Sequence, residues 1–419
     1  MRSVVAYPGN MEHAQQIARA LHDEGWLTDF VTTFVWRPDG AAAALLARLP
    51  ERLATRARRE LSRRAMTQAP AHLVRAHPKW EVARSIALKA RGGPRLVDAV
   101  WDRMIHHFDA TVAGAYVAGA DTVHAFEYSA RETFVRAGAE GVVRVLHLAS
   151  LASRSFEEIL AREKAMWKEL ESPHDSYFAR KFPRRQARRD EEIARADIIV
   201  ANSRLTARSH IAAGADAAKV MVAQLGAPPP IAAPHPRDGD GPLVAVWAGS
   251  FSLGKGAHYM LEAWRNLNAG RAARLDVYGN VALPQRARAL ATDTVAFRGW
   301  TPRAALFEAF RRADVLVFPS LSDGYGMVVA EAMAQGLPAI VSDMAGAADL
   351  VDADNGLIVP AADPRALTDA LRWCLDNRDR LRAMRHGALA AARRRQWSDF
   401  RGDLMTGLRA RLADRALTN

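Results

Sequence analysis

The chain has 419 residues, of which 49% are hydrophobic, and a formal net charge of +12. This length suits two domains of ordinary size, each with its own core. The single cysteine, Cys374, excludes a disulfide framework and a cysteine-ligated metal site, and favours a reducing cytoplasm. No apolar run approaches the roughly 20 residues of a membrane-spanning helix, so we expect membrane contact, if any, to be peripheral. The basic charge admits three acidic partners: nucleic acid, an anionic membrane surface or a phosphorylated substrate.

The first residues predict a strand over 3–7, a turn at Pro8-Gly9-Asn10 and a helix over 11–24. A second strand over 27–34 follows, so an α/β sandwich begins at once. His13 stands early in the helix, near the carboxyl ends of the strands, where open parallel sheets bind ligands. A histidine there can contact a ligand, or it can be a surface or helix-capping residue.

Residues 41–66 predict a basic amphipathic helix that Pro50 interrupts. Its leucines recur at steps of four, and arginines lie beside them, among them Arg52, Arg56, Arg59 and Arg63. Such a segment can rest on anionic lipid, and we predict that it binds anionic vesicles. The alternative is a surface helix pair packed on its own domain.

Further along, strands are predicted over 121–125 and 142–146, leading to His124 and His147. A charged helical stretch over 156–192 precedes a strand over 198–201, a helix capped by Ser203 and a strand over 220–223. These elements complete a first domain over 1–226. Residues 227–242 are rich in Pro, Gly and Asp and predict a linker.

Beyond the linker the strand and helix pattern restarts, which predicts a second parallel sheet. A strand over 243–248 leads into a loop that contains Gly249 and Ser250 and ends at Gly254-Lys255-Gly256. More strands are predicted over 274–278, 295–297 and 315–318. Lys255 is a point charge on a glycine loop, well suited to a phosphate.

The stretch PSLSDGYGMVVAEAMAQGLPAIVS, residues 319–342, predicts a glycine turn, a helix to about residue 335 with Gly336 as its C-cap, and a short strand. The helix N-terminus favours an anion such as a diphosphate. Asp323 and Glu331, eight residues apart, would lie roughly 12 Å apart along a helix. That is about the span from the sugar of a nucleotide-sugar to its ribose. The alternative is two solvated carboxylates on a helix surface.

This stretch resembles the signature of retaining GT-B glycosyltransferases, the family 4-like group also called glycosyl transferases group 1. That signature has a glutamate, seven residues and a second glutamate; here Asp323 replaces the first glutamate and Tyr325 a phenylalanine, while Glu331 to Pro338 fit. The resemblance implies that Glu331 binds the donor ribose. It also implies that Asp323 and the backbone of Gly324, Tyr325 and Gly326 contact the donor sugar.

The resemblance implies an α/β fold of the GT-B type, with two Rossmann-like, doubly wound domains facing a central cleft. Residues 243–399 would bind the donor, and a helix over 400–419 would return to the first domain. Other implied donor contacts are Gly249, Ser250, where the family has an arginine, and Lys255. Lys255, Asp323 and His147 would serve catalysis, and the implied acceptor contacts are Gly9, Asn10 and His13.

The implied reaction moves a sugar, with retention of configuration, from a nucleotide-sugar to a sugar or lipid-linked glycan, as in bacterial polysaccharide or glycolipid biosynthesis. No cofactor and no divalent metal are implied. A nucleotide-sugar epimerase or phosphorylase could use the same architecture, because fold does not determine chemistry. A third hypothesis is a basic nucleic-acid-binding protein. The arginines are not interleaved with stacking aromatic residues, which disfavours this hypothesis.

Overall fold

The structure, a computed structural model, describes residues 1–36, 41–46, 48, 50, 51, 54, 55, 58, 61, 68–89, 93–172, 174–236 and 241–418. These residues form two parallel β-sheets with helices on their faces. Across the described ranges, no helix is both long enough and apolar enough to cross a membrane.

The N-terminal sheet has seven strands in the order β3-β2-β1-β4-β5-β6-β7, all parallel. The order reverses between β1 and β4, and open α/β sheets bind ligands at the carboxyl ends of their strands beside such a reversal. The strands are β1 (Ser3–Tyr7), β2 (Leu27–Thr32), β3 (Val74–Ala76), β4 (Thr122–Phe126), β5 (Val143–Leu148), β6 (Ile198–Ala201) and β7 (Val220–Val222).

The helices of this half are α1 (Glu12–Asp23), α2 (Ala41–Leu46), α3 (Lys79–Lys89), α4 (Pro94–Ala115), α5 (Arg131–Ala139), α6 (Ser153–Met166), α7 (Asp175–Arg195) and α8 (Arg204–Ala212). The predicted basic helix over 41–66 therefore begins as α2. Arg52, Arg56, Arg59 and Arg63, on which its predicted membrane contact depends, lie outside the described residues.

The C-terminal sheet has six parallel strands in the order β10-β9-β8-β11-β12-β13. Its central strands β8 and β11 are buried along their whole length, as expected for a parallel sheet covered on both faces. The strands are β8 (Leu243–Ala248), β9 (Ala273–Tyr278), β10 (Val295–Gly299), β11 (Val315–Phe318), β12 (Ala339–Ser342) and β13 (Gly356–Val359).

Seven helices in the described part of the chain accompany this sheet or follow it: α9 (Ala257–Leu267), α10 (Gln285–Arg288), α11 (Arg303–Arg312), α12 (Met327–Ala334), α13 (Pro364–Asp376), α14 (Arg378–Arg394) and α15 (Trp397–Thr418). The last of them packs against α1 of the N-terminal half. Arg401 on α15 donates to Gln16 on α1 at 2.6 Å, and Leu404 and Leu408 share a core cluster with Leu21.

Two predicted strand ends fell short. Strand β4 ends at Phe126 and β5 at Leu148, one and two residues beyond the predicted ends at 125 and 146. Phe126 pairs with His147, and Leu148 pairs with Ala201 on β6. Both histidines therefore lie within the sheet and not on loops at its edge.

Candidate active site

The turn between β11 and α12 is held in one conformation by its own side chain and backbone. Asp323 accepts a hydrogen bond from the Tyr325 N–H at 3.1 Å, which is the local turn that aspartate favours. The Asp323 N–H donates to the Met344 carbonyl at 3.0 Å. Gly326 then has a φ of 89°, a left-handed conformation that glycine adopts without steric cost. The turn therefore delivers the chain to the start of α12 in a defined direction.

Lys255 reaches this turn from the loop after β8. Its Nζ lies 2.6 Å from Asp323 Oδ2 and 3.3 Å from the Ser322 carbonyl oxygen. The loop can approach so closely because residue 256 is glycine, with a φ of 74°. A Cβ there would lie 2.0 Å from the Pro319 carbonyl oxygen. Gly256 therefore allows the contact between the lysine loop and the turn.

A cavity of about 170 Å³ lies at this contact. Five predicted donor-site residues line it together: Gly249, Ser250, Lys255, Asp323 and Gly326. Met327 and Val328, the first residues of α12, also face it. The first N–H groups of a helix lack intrahelical acceptors and carry partial positive charge. A lysine beside such a terminus makes the cavity a suitable site for a phosphate group.

Gly324 and Tyr325 join the two halves of the molecule. The Gly324 carbonyl accepts hydrogen bonds from Ser203 Oγ at 2.5 Å and Thr206 Oγ1 at 3.1 Å. The Tyr325 hydroxyl donates to the Leu225 carbonyl at 2.6 Å, and burial raises the pKa of this phenol. The Tyr325 side chain is thus an interdomain anchor and is not available to a donor in this conformation, a role that the motif did not predict.

Glu331 on α12 forms an ion pair with Arg303, whose Nη2 lies 2.9 Å from Glu331 Oε1. Burial raises the pKa of Glu331, and Arg303 opposes that shift. Sequence reasoning missed Arg303, although Thr301-Pro302 indicated the start of its helix. Glu331 lies outside the lining of the 170 Å³ cavity. Arg303 also lines a neighbouring cleft of about 470 Å³, together with Glu12 and Trp397.

The histidines predicted for the site lie in the core. His13 is 2% exposed and His147 is 0% exposed. His147 Nε2 lies 3.1 Å from Nδ1 of His124, and His13 packs edge-on against Phe126 and Phe400. Burial therefore argues against direct ligand contact by His13 or His147 in this conformation. Their acceptor and catalytic roles stay predictions.

Because these histidines are buried, we expect the folded chain to lose stability in mild acid. Burial lowers the pKa of His13 and His124 to about 3, whereas the unfolded chain should titrate near 6.5. The unfolded state then binds more protons between these values, so the free energy of unfolding falls as the pH decreases below about 6.5. Replacing His13 with phenylalanine keeps the aromatic contacts and removes one titrating group.

We expect urea denaturation between pH 5 and 7 to show a shallower pH dependence for His13→Phe than for the wild type. The pH dependence of the wild type alone is not informative, because burial also raises the pKa of Glu127 and Glu192 to about 7. These carboxyl groups make the free energy of unfolding rise as the pH decreases, opposite to the histidines, so the variant must be compared with the wild type. Equal pH dependence in the two proteins would show that His13 does not resist protonation in the folded state.

Gly9 and Asn10 line a separate cavity of about 320 Å³ in the N-terminal half. Thr32 Oγ1 donates to the Gly9 carbonyl at 2.7 Å, and Gln15 donates to Asn10 Oδ1 at 2.5 Å. The ion pair of Glu81 and Arg84, joined at 2.8 Å, forms part of the same lining. The two predicted acceptor residues therefore adjoin a polar cavity whose charged pair sequence reasoning did not find.

Sequence comparison relates part of this chain to a known protein family. Residues 242–377 match the family model described as Glycosyl transferases group 1. D-inositol 3-phosphate glycosyltransferase from Xylanimonas cellulosilytica is 32% identical over 170 residues, which are 38% of this chain and 40% of that relative. The chain therefore spans less than half the length of that curated relative.

Solved structures match the whole fold. A trehalose-phosphate synthase from Burkholderia vietnamiensis has a TM-score of 0.63 at 15% identity, and the match covers 99% of this chain and 99% of that chain. HepE from Anabaena in complex with UDP has a TM-score of 0.59 at 15% identity, covering 98% of this chain and 100% of HepE. The predicted GT-B fold, with two parallel doubly wound sheets, is confirmed, and the predicted family resemblance is confirmed for residues 242–377.

Proposed function

We propose that the chain transfers a sugar from a nucleotide-diphosphate donor to an acceptor hydroxyl, with retention of configuration. The match of residues 242–377 to the Glycosyl transferases group 1 model supports this proposal. The observation that carries the proposal is the contact of Lys255 with Asp323 at the N-terminus of α12. It puts a cation, a carboxylate and helix N–H groups on one cavity. A nucleotide-sugar presents a diphosphate and sugar hydroxyls to those groups.

Each group has a part in donor binding. In the structure Lys255 is neutralised by Asp323, and its side chain is 31% exposed. The diphosphate would draw the flexible lysine away and leave Asp323 free to accept a hydrogen bond from a sugar hydroxyl. The N–H groups at the start of α12 would bind phosphate oxygens. Glu331, the fifth residue of α12, would accept hydrogen bonds from the ribose.

The proposed reaction needs no nucleophile from the protein and no divalent metal. The acceptor oxygen bonds to the anomeric carbon on the face from which the diphosphate departs. As the bond from carbon to phosphate oxygen breaks, that oxygen gains negative charge and takes the proton of the acceptor hydroxyl. Lys255 and the α12 N-terminus stabilise this developing charge, which is the term that contributes most in many enzymes.

A donor screen tests the proposal directly. Thermal unfolding would be measured with UDP-, GDP-, ADP- and dTDP-sugars, because a ligand that binds only the folded state raises its apparent stability. We expect one nucleotide to stabilise the chain by about 2.7 kcal/mol at 100 times its dissociation constant. No shift with any nucleotide-sugar would contradict the proposed donor class.

Replacing Glu331 with glutamine is expected to weaken donor binding without unfolding the chain. Loss of a charged hydrogen-bonding group should cost roughly 1.5 to 3 kcal/mol, measured by calorimetry with the selected donor. Glu308→Gln is the matched control, because Glu308 pairs with Arg311 and Arg312 on its own helix, α11, and lies outside the cavity lining. Equal donor affinity in the Glu331 variant and the control would remove the ribose role.

The acceptor is proposed to be a sugar or a lipid-linked glycan held by the N-terminal half. The polar cavity beside Gly9 and Asn10 supports this assignment. Free nucleotide should then be released only when an acceptor is present. Release or sugar interconversion without any acceptor would indicate an epimerase or a hydrolytic enzyme on the same fold.

A further inference from the structure

A groove of about 760 Å³ lies between α4 and α7, and Tyr128 and the start of α5 also line it. We call it the α4–α7 groove. It shares no lining residue with the cavity at Lys255 or with the cavity at Gly9. The proposed donor and acceptor sites therefore do not account for it.

The lining of the groove contains more cations than carboxylates. It contains three more cationic side chains than carboxylates, and the cations are Arg103, Arg131, Lys181, Arg184, Arg185 and Arg188. A concave surface with an excess of one charge concentrates field lines and attracts ligands of the opposite charge.

Four of these cations already have carboxylate partners. Lys181 and Arg185 both bind Asp98 and Asp102, at 2.7 to 2.8 Å. Arg188 pairs with Asp109, and Arg131 pairs with Glu191 at 2.5 Å. These ion pairs connect α4, α5 and α7 across the groove. They hold its walls at a fixed spacing and leave little of their own charge for a ligand.

Arg103 and Arg184 differ from the other four. Across the described parts of the chain, neither forms an ion pair with a carboxylate. Arg103 projects from α4 and lies over the Trp80 ring, 5.7 Å from its centroid. Arg184 projects from α7, the other wall. Among the described residues, the cations of the groove lining that lack a carboxylate partner are therefore these two guanidinium groups, one on each wall.

The pKa of His106, which lies one turn from Arg103 on α4, depends on the charged groups of the groove. Burial lowers the pKa of His106, and Arg188 and Arg184 lower it further, against the opposing effects of Asp102 and Asp109. A neutral imidazole can donate one hydrogen bond and accept another. An anion in the groove would cancel the repulsion from the arginines, so His106 is a local reporter of occupancy.

We propose that the α4–α7 groove binds the phosphate group of a ligand through Arg103 and Arg184, at a site separate from the donor cavity. A guanidinium presents planar N–H pairs that match two phosphate oxygens, and charge-assisted bonds of this kind are about twice as strong as neutral ones. The inference does not depend on the glycosyltransferase proposal, because it uses no residue of the donor cavity. The phosphate can belong to a soluble compound or to a lipid headgroup.

The test follows the imidazole resonance of His106 during titration of the full chain with inorganic phosphate. The resonance is assigned with His106→Gln. We expect phosphate to move the His106 titration to higher pH in the wild type. In Arg103→Gln/Arg184→Gln this movement should disappear, with phosphate affinity at the site at least about tenfold weaker. Arg271→Gln/Arg286→Gln removes two exposed arginines elsewhere and should behave as the wild type.

The charged groups that shift the pKa of His106 most lie on α4 and α7, and none of them lines the cavity at Lys255, so this readout separates the two sites. A His106 titration that ignores phosphate, or one that shifts equally in the groove variant with an unchanged melting temperature, would overturn the proposal. Given the expected shift, sedimentation with phosphatidylglycerol vesicles that is lost in the groove variant identifies a lipid headgroup. Binding of glycerol phosphate in solution, with vesicle sedimentation unaffected by the variant, identifies a soluble ligand.

Discussion

Replacing Lys255 with alanine is expected to lower kcat by about 100- to 1,000-fold, the effect of removing one group that stabilises developing negative charge. The donor KM should change much less. In the structure the ammonium group is 2.6 Å from Asp323 and already neutralised, so the resting donor has to compete with a carboxylate for it. Charge on the diphosphate increases as the glycosidic bond breaks, which makes the lysine more effective in the transition state than in the ground state.

The measurement is steady-state kinetics with the donor that the screen selects. Lys168→Ala is a suitable control, because Lys168 is exposed and lies outside the cavity lining. If the KM of the Lys255 variant increases while kcat remains that of the wild type, Lys255 only holds the donor. The proposed charge stabilisation would then have to come from the α12 N-terminus alone.

The second large effect is expected at Gly256, which brings the lysine loop against the turn. Alanine at this position must adopt a φ of 74°, which costs about 1–2 kcal/mol for a residue with a Cβ. Its Cβ would also lie 2.0 Å from the Pro319 carbonyl oxygen, and such overpacking costs about 1–3 kcal/mol. We expect Gly256→Ala to lower the melting temperature and to reduce kcat, because the loop moves and takes Lys255 with it.

Gly270→Ala separates the two contributions. Gly270 has a φ of 53° and no heavy atom within 4 Å of its ideal Cβ position, so it bears the backbone cost without the collision. Its melting temperature should fall less than that of Gly256→Ala, and its kcat should stay at the wild-type value. Equal losses in both variants would mean that the approach of Pro319 to residue 256 is unimportant.

Much of the fold could be predicted because alternation of strand and helix is a local pattern. The apolar runs at 243–248 and 315–318 coincide with β8 and β11. Strand ends were less predictable, since they depend on pairing with distant strands. β5 continues past His147 because Leu148 still pairs with Ala201, and no signal within residues 142–148 reveals that partner.

The grouping of some candidate-site residues was predictable from motifs along the chain. The resemblance assigned Asp323 and Lys255 to one donor site, and the structure brings them together in one cavity, while their roles stay predictions. Contacts made between distant segments were not predictable. Tyr325 occupies a motif position, yet its hydroxyl binds the Leu225 carbonyl across 100 residues of sequence. Arg303 meets Glu331 only because α11 and α12 pack together.

The proposed function depends on binding of the donor diphosphate between Lys255 and the N-terminus of α12. A crystal structure with the nucleotide-sugar selected by the screen would locate the diphosphate. We expect one of its oxygens within about 3 Å of Lys255 Nζ, a broken Lys255–Asp323 pair, and ribose hydroxyls that reach Glu331. A donor bound elsewhere, with Lys255 still paired to Asp323, would refute the proposed donor site.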